Sequence, residues 1–271
     1  MRINKFINKL RNDQTSYRKF YSLPVSENHI LLEAGQGKNI NGNMFSLLQE
    51  ICENPKWKNL HPVFVVTDET MESARKRFEF YGWNVKLVVR DTETYKKYLA
   101  TSKYLVTDNS FPVYFLKKKE QVYLNTWHGT PLKTLGKSDI ENAVSLSNIQ
   151  KNYLMCDYAL FPNPLTESVF MKDYMLENLY KGKLLLCDYP RNWHLEDKKI
   201  RRAIKEALHL ENKIVYAYMP TWRGTGRKAS VEIQKKIIET YLKELDEKLQ
   251  DDQLVLVNLH FLVGNTIDFS S

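Results

Sequence analysis

The sequence predicts an α/β protein built on a parallel sheet with helices on both faces. From residue 24 onward, short apolar runs alternate with stretches of helical periodicity. The runs hold four to six residues rich in β-branched and aromatic side chains, and residues 62–67 (PVFVVT) are the strongest of them. Such runs are typical of strands buried on both faces, so a doubly wound sheet is expected.

The individual elements follow from this alternation. Residues 35–37 (GQG) are predicted to form a turn after the first strand. The predicted strands are residues 29–33, 62–67, 85–89, 104–107, 122–126, 158–161, 183–186, 213–217 and 254–259. The predicted helices are residues 43–53, 71–81, 95–100, 145–154, 165–175, 197–209 and 231–249.

Three regions are expected along the chain: a basic amphipathic segment (1–24), a Rossmann-like domain (25–195) and a partial second Rossmann-like domain (196–271). After residue 212 only a strand, a helix and a strand follow. About 60 residues in that arrangement cannot cover both faces of a parallel sheet. These strands therefore either extend the first sheet or begin a second domain, and we favour the second domain.

The N-terminal segment carries six basic residues against a single acid, Asp13. Its apolar residues Ile3, Phe6, Ile7 and Leu10 recur at helical spacing. Such a helix suits an anionic membrane surface, or it packs against the domain behind it. We expect a cytoplasmic protein without a secretory leader, because the first residues lack a long apolar stretch and the three cysteines have no Cys-x-x-Cys spacing. No apolar run in the sequence is long enough for a transmembrane helix.

The charge balance is basic, with 40 Lys and Arg against 32 Asp and Glu, a net charge of +8. A positive field favours anionic partners, such as nucleic acid, an acidic membrane or phosphorylated small molecules. Aromatic and basic residues do not interleave as in a recognisable nucleic-acid module, so nucleic acid is not expected as a partner.

The first segment that carries candidate catalytic and binding residues is 125–133 (NTWHGTPLK), directly after a predicted strand. In open α/β sheets, ligands bind at the carboxyl ends of strands. His128 is placed to act as a base near neutral pH, and Gly129 lets backbone approach a ligand closely. The alternative is a histidine that only hydrogen-bonds a neighbouring carbonyl.

Three further segments also follow strands. In residues 189–192 (YPRN), Arg191 either contacts a phosphate or ties a linker to a carboxylate. Residues 219–228 form either a phosphate cradle or a solvated basic loop. At residues 258–260, His260 is a candidate partner for His128. The sequence has no P-loop, no complete Gly-x-Gly-x-x-Gly and no Asp-x-Asp, so neither a metal nor a cofactor is expected.

Together these segments resemble the CDP-glycerol glycerophosphotransferase family of teichoic-acid and capsule synthesis. The resemblance rests on Trp-His-Gly-Thr-Pro-Leu-Lys (127–133), Tyr-Pro-Arg-Asn (189–192), a Pro-Thr-Trp-Arg block (220–223) and Leu-His (259–260), in the family's order. The chain departs from the family pattern at Asp188, Trp193, Tyr218, Met219 and Phe261. The family's later Asp-Tyr-Ser-Ser block is also missing.

The resemblance implies a two-domain, GT-B-like fold. Its active site would lie in the cleft between an acceptor-side domain (25–195) and a partial CDP-glycerol-side, or donor-side, domain (196–271). The expected reaction moves glycerol phosphate from CDP-glycerol to a hydroxyl of a teichoic-acid or capsule precursor, and CMP is released. It implies a lipid-linked polyol-phosphate or glycan acceptor and a position on the inner face of the cell membrane.

The resemblance also implies roles for particular residues. His128 would be the general base, and His260 and Arg223 would steady charge on the transferring phosphate. The substrate-binding residues would be Trp127, Gly129, Thr130, Arg191, Asn192, Thr221 and Arg223. Two alternatives stay open: a GT-B glycosyltransferase that uses a nucleotide sugar, and a non-catalytic remnant that binds anionic polymer or lipid.

Overall fold

A computed structural model describes residues 2–132, 134–139, 143–195, 197–220 and 228–259. Its internal contacts divide the chain into two compact units, Met1–His194 and Leu195–Ser271. The predicted strands and helices are all present, with ends that differ from the prediction by a few residues. The division of roles between a donor-side and an acceptor-side domain stays a prediction.

The first unit contains seven strands and six helices within the described residues. The strands are β1 (Ser26–Glu33), β2 (His61–Val66), β3 (Lys86–Val89), β4 (Ser102–Thr107), β5 (Val122–Asn125), β6 (Tyr158–Phe161) and β7 (Lys183–Leu186). The helices are α1 (Arg2–Tyr21), α2 (Gly42–Glu53), α3 (Asp68–Phe80), α4 (Glu93–Thr101), α5 (Ala143–Met155) and α6 (Pro164–Asp173).

The seven strands form one parallel sheet in the order β3-β2-β1-β4-β5-β6-β7. The chain runs outward from β1 to β3 and then returns to the other side of β1 with β4. This reversal is the topological switch point at which doubly wound sheets bind their ligands. Because Glu33 pairs with Thr107 and Thr107 pairs with Asn125, β1, β4 and β5 end side by side.

Both faces of the sheet are buried, as their apolar sequences predict. Leu31 and Tyr123 lie on the face covered by α1, α4, α5 and α6. Leu32 and Phe64 lie on the opposite face, which α2 and α3 cover. Strand β1 starts at Ser26, before the predicted start at residue 29, because Ser26 pairs with Ser102 of β4. Residues 26–28 (SEN) are polar, so the apolar pattern of the sequence does not mark them as part of the strand.

Helix α1 packs against α4 through its second half. Tyr17 is buried in the core, and its hydroxyl donates to the Leu116 carbonyl at 3.0 Å. Lys96 of α4 pairs with Asp13 at 2.9 Å, and Ser16 donates to Glu93. The packing interpretation of the N-terminal segment is therefore correct for this half. The side chains of Ile3, Phe6 and Ile7 lie outside the described part of the chain.

The second unit contains α7 (Lys198–Ala207), β8 (Ile214–Tyr218), α8 (Lys228–Asp246) and β9 (Gln253–Val257). Strands β8 and β9 pair in parallel and form their own two-stranded sheet. Ile238 of α8 is buried against Tyr218, Leu242 and Leu259. Asp197 caps α7 by accepting from the backbone N–H groups of Lys199 and Ile200.

Candidate functional site at the carboxyl edge of the sheet

The loop after β5 holds a strained tryptophan. Trp127 has a φ of 51°, a left-handed conformation that costs a bulky residue about 1–2 kcal/mol. Its backbone N–H donates to the side chain of Asn125 at 2.9 Å. The residue is 8% exposed, and its ring packs edge-on against Phe170 of α6. Packing and hydrogen bonds therefore hold a backbone conformation that aims the next residue, His128, away from the core.

His128 is exposed at the carboxyl edge, and one of its ring nitrogens is anchored. Nδ1 lies 2.6 Å from the carbonyl oxygen of Asp108, and the imidazole stacks on the Trp127 ring with centroids 3.8 Å apart. A carbonyl oxygen can only accept, so Nδ1 carries the proton. In the neutral ring, Nε2 then holds a free lone pair. The two interpretations of this histidine are compatible, because the carbonyl contact uses one nitrogen and leaves the other to act as a base.

Asp108 follows β4 and lies between the histidine loop and the loop after β1. It is 7% exposed, and its carboxylate accepts from the Gly35 backbone N–H at 2.8 Å. Burial raises the pKa of this carboxyl, while the Gly35 hydrogen bond and the charges of His128 and Arg191 oppose that rise. A buried carboxyl within electrostatic reach of a histidine and an arginine is typical of a functional site.

The loop after β1 closes tightly over the end of β2. Gly37 has a φ of 82°, and its carbonyl accepts from the Thr67 N–H and the Thr70 hydroxyl. A Cβ at Gly37 would lie 3.0 Å from the backbone of Val66. Glycine is therefore required here by close backbone approach as well as by its dihedral angle. The predicted turn at residues 35–37 is present, and it contributes the Gly35 N–H to the site.

Asn43, at the start of α2, joins the segments of the site. It is 1% exposed, and its side-chain N–H₂ donates to the Trp127 carbonyl and the Thr126 hydroxyl, each at 3.1 Å. Its carboxamide oxygen accepts from the Arg191 backbone N–H at 3.3 Å. A single buried side chain thus bonds two segments that are far apart in sequence.

The Tyr-Pro-Arg-Asn segment forms a short 3-10 turn, residues Pro190–Asn192, that packs on α2. Burial raises the pKa of Tyr189 to about 12, against the opposing effects of the Arg191 charge and the Gly129 backbone. Arg191 is exposed, and its guanidinium lies 4.9 Å from the Tyr189 ring centroid. Asn192 closes the turn with a backbone N–H to the Tyr189 carbonyl at 2.9 Å.

Gly129 and Thr130 continue the histidine loop toward α6. A Cβ added at Gly129 would meet nothing within 4 Å, so the space beside this backbone is open. The Thr130 hydroxyl accepts from the side chain of Asn163 at 3.0 Å, and Asn163 caps α6 by accepting from the Thr166 N–H. Thr130 therefore links the loop to the start of a helix, in addition to its predicted role in binding.

The structure brings together six of the predicted residues in the first unit: Trp127, His128, Gly129, Thr130, Arg191 and Asn192. The other three, Thr221, Arg223 and His260, lie outside the described residues. Within the described ranges, no group of three His, Cys, Asp or Glu side chains is placed to hold a metal. That neither a metal nor a cofactor is needed stays a prediction.

Sequence reasoning missed Asn43 and Asp108. Asp108 directly follows the predicted strand 104–107, and a position after a strand is the signal that marks the other segments. Asn43 had only one signal, its position at the start of the helix that follows the turn at residues 35–37. Its partners are Thr126, Trp127 and Arg191, so its role depends on contacts that no local pattern shows.

An exposed imidazole, an exposed guanidinium and a buried carboxyl meet at the switch point of a doubly wound sheet. These features define a Rossmann-like α/β protein with a ligand site suited to anion binding and acid–base chemistry. The chain belongs to the CDP-glycerol:poly(glycerophosphate) glycerophosphotransferase family, whose model matches residues 15–271. This match confirms the predicted family, whose members are transferases.

Two curated relatives are similar over most of the chain. A teichoic acid poly(glycerol phosphate) polymerase of Bacillus spizizenii is 25% identical over 260 residues, which cover 92% of this chain and 63% of the relative. A teichoic acid glycerol-phosphate transferase of Staphylococcus aureus is 28% identical over 271 residues, covering 94% and 65%. The chain thus spans somewhat less than two thirds of the length of these relatives.

Solved structures of the wall teichoic acid polymerase TagF share the fold. A histidine-to-asparagine variant soaked with CDPG has a TM-score of 0.73 and 21% identity, covering 100% of this chain and 68% of that one. A histidine-to-alanine variant has a TM-score of 0.71 and 22% identity, covering 99% and 66%. The predicted α/β, GT-B-like fold class is confirmed.

Proposed function

We propose that this protein transfers glycerol phosphate from CDP-glycerol to a hydroxyl group of a teichoic-acid or capsule precursor. The observation that carries the proposal is the anchored imidazole of His128 at the carboxyl edge of the sheet, whose Nε2 has no hydrogen-bond partner among the described residues. The family match and the names of the relatives support glycerol phosphate as the transferred group.

The proposed reaction is an in-line displacement at phosphorus. The acceptor oxygen forms a bond to the phosphorus that carries glycerol, the bond from that phosphorus to the bridging oxygen breaks, and CMP leaves. The hydroxyl proton moves to Nε2 of His128. Catalysis of this kind depends on positioning and electrostatic stabilisation. Arg191 offers the guanidinium for the donor phosphates, and Arg223 and His260 are proposed to share that role.

Release of CMP from CDP-glycerol by the full chain, with a lipid-linked polyol-phosphate acceptor, tests the role of His128. In His128→Gln we expect kcat to fall by roughly 10²–10⁴-fold, the usual contribution of one oriented base. His61→Gln is the matched control, because His61 is an exposed histidine at the amino end of β2 in the same sheet. Turnover by His128→Gln at the wild-type rate would remove His128 from the mechanism.

The donor test separates the remaining alternatives. Calorimetry with CDP-glycerol, CDP-ribitol and nucleotide sugars should show preferential binding of CDP-glycerol. Preference for a nucleotide sugar would favour a glycosyltransferase. If none of these donors binds, a non-catalytic protein that binds anionic polymer or lipid is favoured.

Attachment to the inner face of the cell membrane is part of the proposal. No helix among the described residues is long and apolar enough to cross a bilayer. The basic side chains of Arg11, Arg18 and Lys19 are exposed on α1 and suit an anionic surface. Co-sedimentation with vesicles of anionic lipid, and its absence with neutral vesicles, is the expected result. Equal binding to both would refute this part.

A further inference from the structure

We propose that Asn43 is a positioning residue that couples His128 to Arg191, an inference that rests on the proposed function. Its carboxamide hydrogen-bonds the carbonyl of the residue before His128 and the backbone N–H of Arg191 itself. These are the two segments that present the imidazole and the guanidinium. One buried side chain therefore fixes backbone atoms on both sides of the site.

The hydrogen-bonding capacity of Asn43 is closely matched to its partners. A carboxamide has two N–H donors and one acceptor oxygen. The N–H₂ group donates to the Trp127 carbonyl and the Thr126 hydroxyl, and the oxygen accepts from the Arg191 backbone N–H. The Thr126 hydroxyl in turn donates to the Trp127 carbonyl at 2.9 Å. Two donors therefore converge on the carbonyl that precedes His128.

This carbonyl belongs to the strained residue of the site. Trp127 holds a left-handed backbone, and such a conformation persists only where surrounding contacts fix it. Loss of the Asn43 donors would free the loop to relax and to move the imidazole. A displacement of about 1 Å in a reacting group can cost on the order of 10²-fold in rate.

Asn43→Asp removes the hydrogen bonds that Asn43 donates while keeping the shape of its side chain. An ionised carboxylate still accepts from the Arg191 N–H, but it cannot donate to the Trp127 carbonyl or the Thr126 hydroxyl. We expect kcat for CMP release to fall by roughly 10²-fold, with KM for CDP-glycerol changed less than about threefold, because the arm that holds Arg191 remains. Rates are divided by the folded fraction from a thermal melt.

Gln121→Glu is the matched control. Gln121 is also 1% exposed, donates to the carbonyls of Leu99 and Ser102, and accepts from the Lys118 N–H. Like Asn43, it donates to two oxygens and accepts from one backbone N–H, but at the opposite edge of the same sheet. Its replacement should lower stability by a similar amount and leave kcat per folded molecule unchanged. Equal losses of kcat in the two variants would overturn the proposal.

A pair of milder variants covers the case in which Asn43→Asp does not fold. Thr126→Val removes the hydroxyl that bonds both Asn43 and the Trp127 carbonyl, and Thr126→Ser keeps it. We expect Thr126→Val to lower kcat by about tenfold and Thr126→Ser to restore it. Unchanged kcat in Thr126→Val would overturn the coupling.

These results also separate the coupling from the proposed function. Wild-type release of CMP without the expected losses would leave the function standing and refute the role of Asn43. Absence of CMP release by the wild-type protein would refute the proposed function itself.

Discussion

Two buried amide side chains at opposite edges of the seven-stranded sheet, Gln121 and Asn43, form hydrogen bonds over very different distances in sequence. At the amino edge, Gln121 bonds the backbone of residues within about 22 positions in the sequence. At the carboxyl edge, the partners of Asn43 lie 83 to 148 positions away. Gln121 therefore fastens neighbouring elements, whereas Asn43 brings distant segments to one place.

Left-handed backbone conformations occur at both edges. Gln36, Asp91 and Trp127 have φ angles of 60°, 64° and 51°, and each lies just beyond a strand at the carboxyl edge. Such a conformation persists only where surrounding contacts fix it. At the amino edge, Met175 and Asn178 have φ angles of 52° and 62° in the connection between α6 and β7, so a left-handed backbone by itself does not mark the functional edge.

The largest expected effect concerns ion pairs at the two edges. Glu33, at the end of β1, is fully buried and bonds Arg90 at 3.3 Å and the Tyr95 hydroxyl at 2.5 Å. Glu33→Gln keeps the shape but leaves the mostly buried Arg90 with Asp91, at 3.3 Å, as its remaining carboxylate. We expect urea unfolding to show a loss of about 3 kcal/mol, the cost of breaking a buried pair.

The control is an ion pair at the amino edge. Lys103 and Glu27 pair at 2.9 Å, but the Glu27 side chain is 68% exposed. Glu27→Gln should therefore cost less than about 1 kcal/mol. Equal losses of stability in the two variants would show that the buried pair at the carboxyl edge contributes no more than the exposed pair at the amino edge.

The next effect concerns two glycines with positive φ angles. Gly37 (φ 82°) would place a Cβ 3.0 Å from the Val66 backbone, while Gly82 (φ 68°), before β3, would place one in open space. Gly82→Ala should cost about 1–2 kcal/mol from the dihedral angle alone. Gly37→Ala should cost at least about 1 kcal/mol more, since backbone must move. Thermal melts compare the two, and a smaller loss in Gly37→Ala would contradict the close approach.

The sequence predicts most of the framework because a parallel sheet is signalled by local runs of apolar residues. Strand β2 and helix α2 lie within a residue or so of their predicted ends. The candidate histidine was found because it follows such a run within a distinctive motif. Asn43 and Asp108 were missed because a lone polar residue looks the same whether its partners are water or a segment 148 positions away.

The smallest effect tests the buried carboxyl of Asp108. Because burial raises its pKa in the folded protein, the folded state holds its proton more tightly than the unfolded state. The resulting loss of stability is absent below the unfolded pKa of about 3.9 and grows as pH rises from there to the folded value. A carboxamide at this position does not ionise, so Asp108→Asn should gain stability relative to wild type between about pH 4 and pH 7, by about 1.4 kcal/mol for each unit of the rise. Urea unfolding at both pH values measures this difference, and a difference that does not change with pH would show that the carboxyl is not desolvated in the folded state.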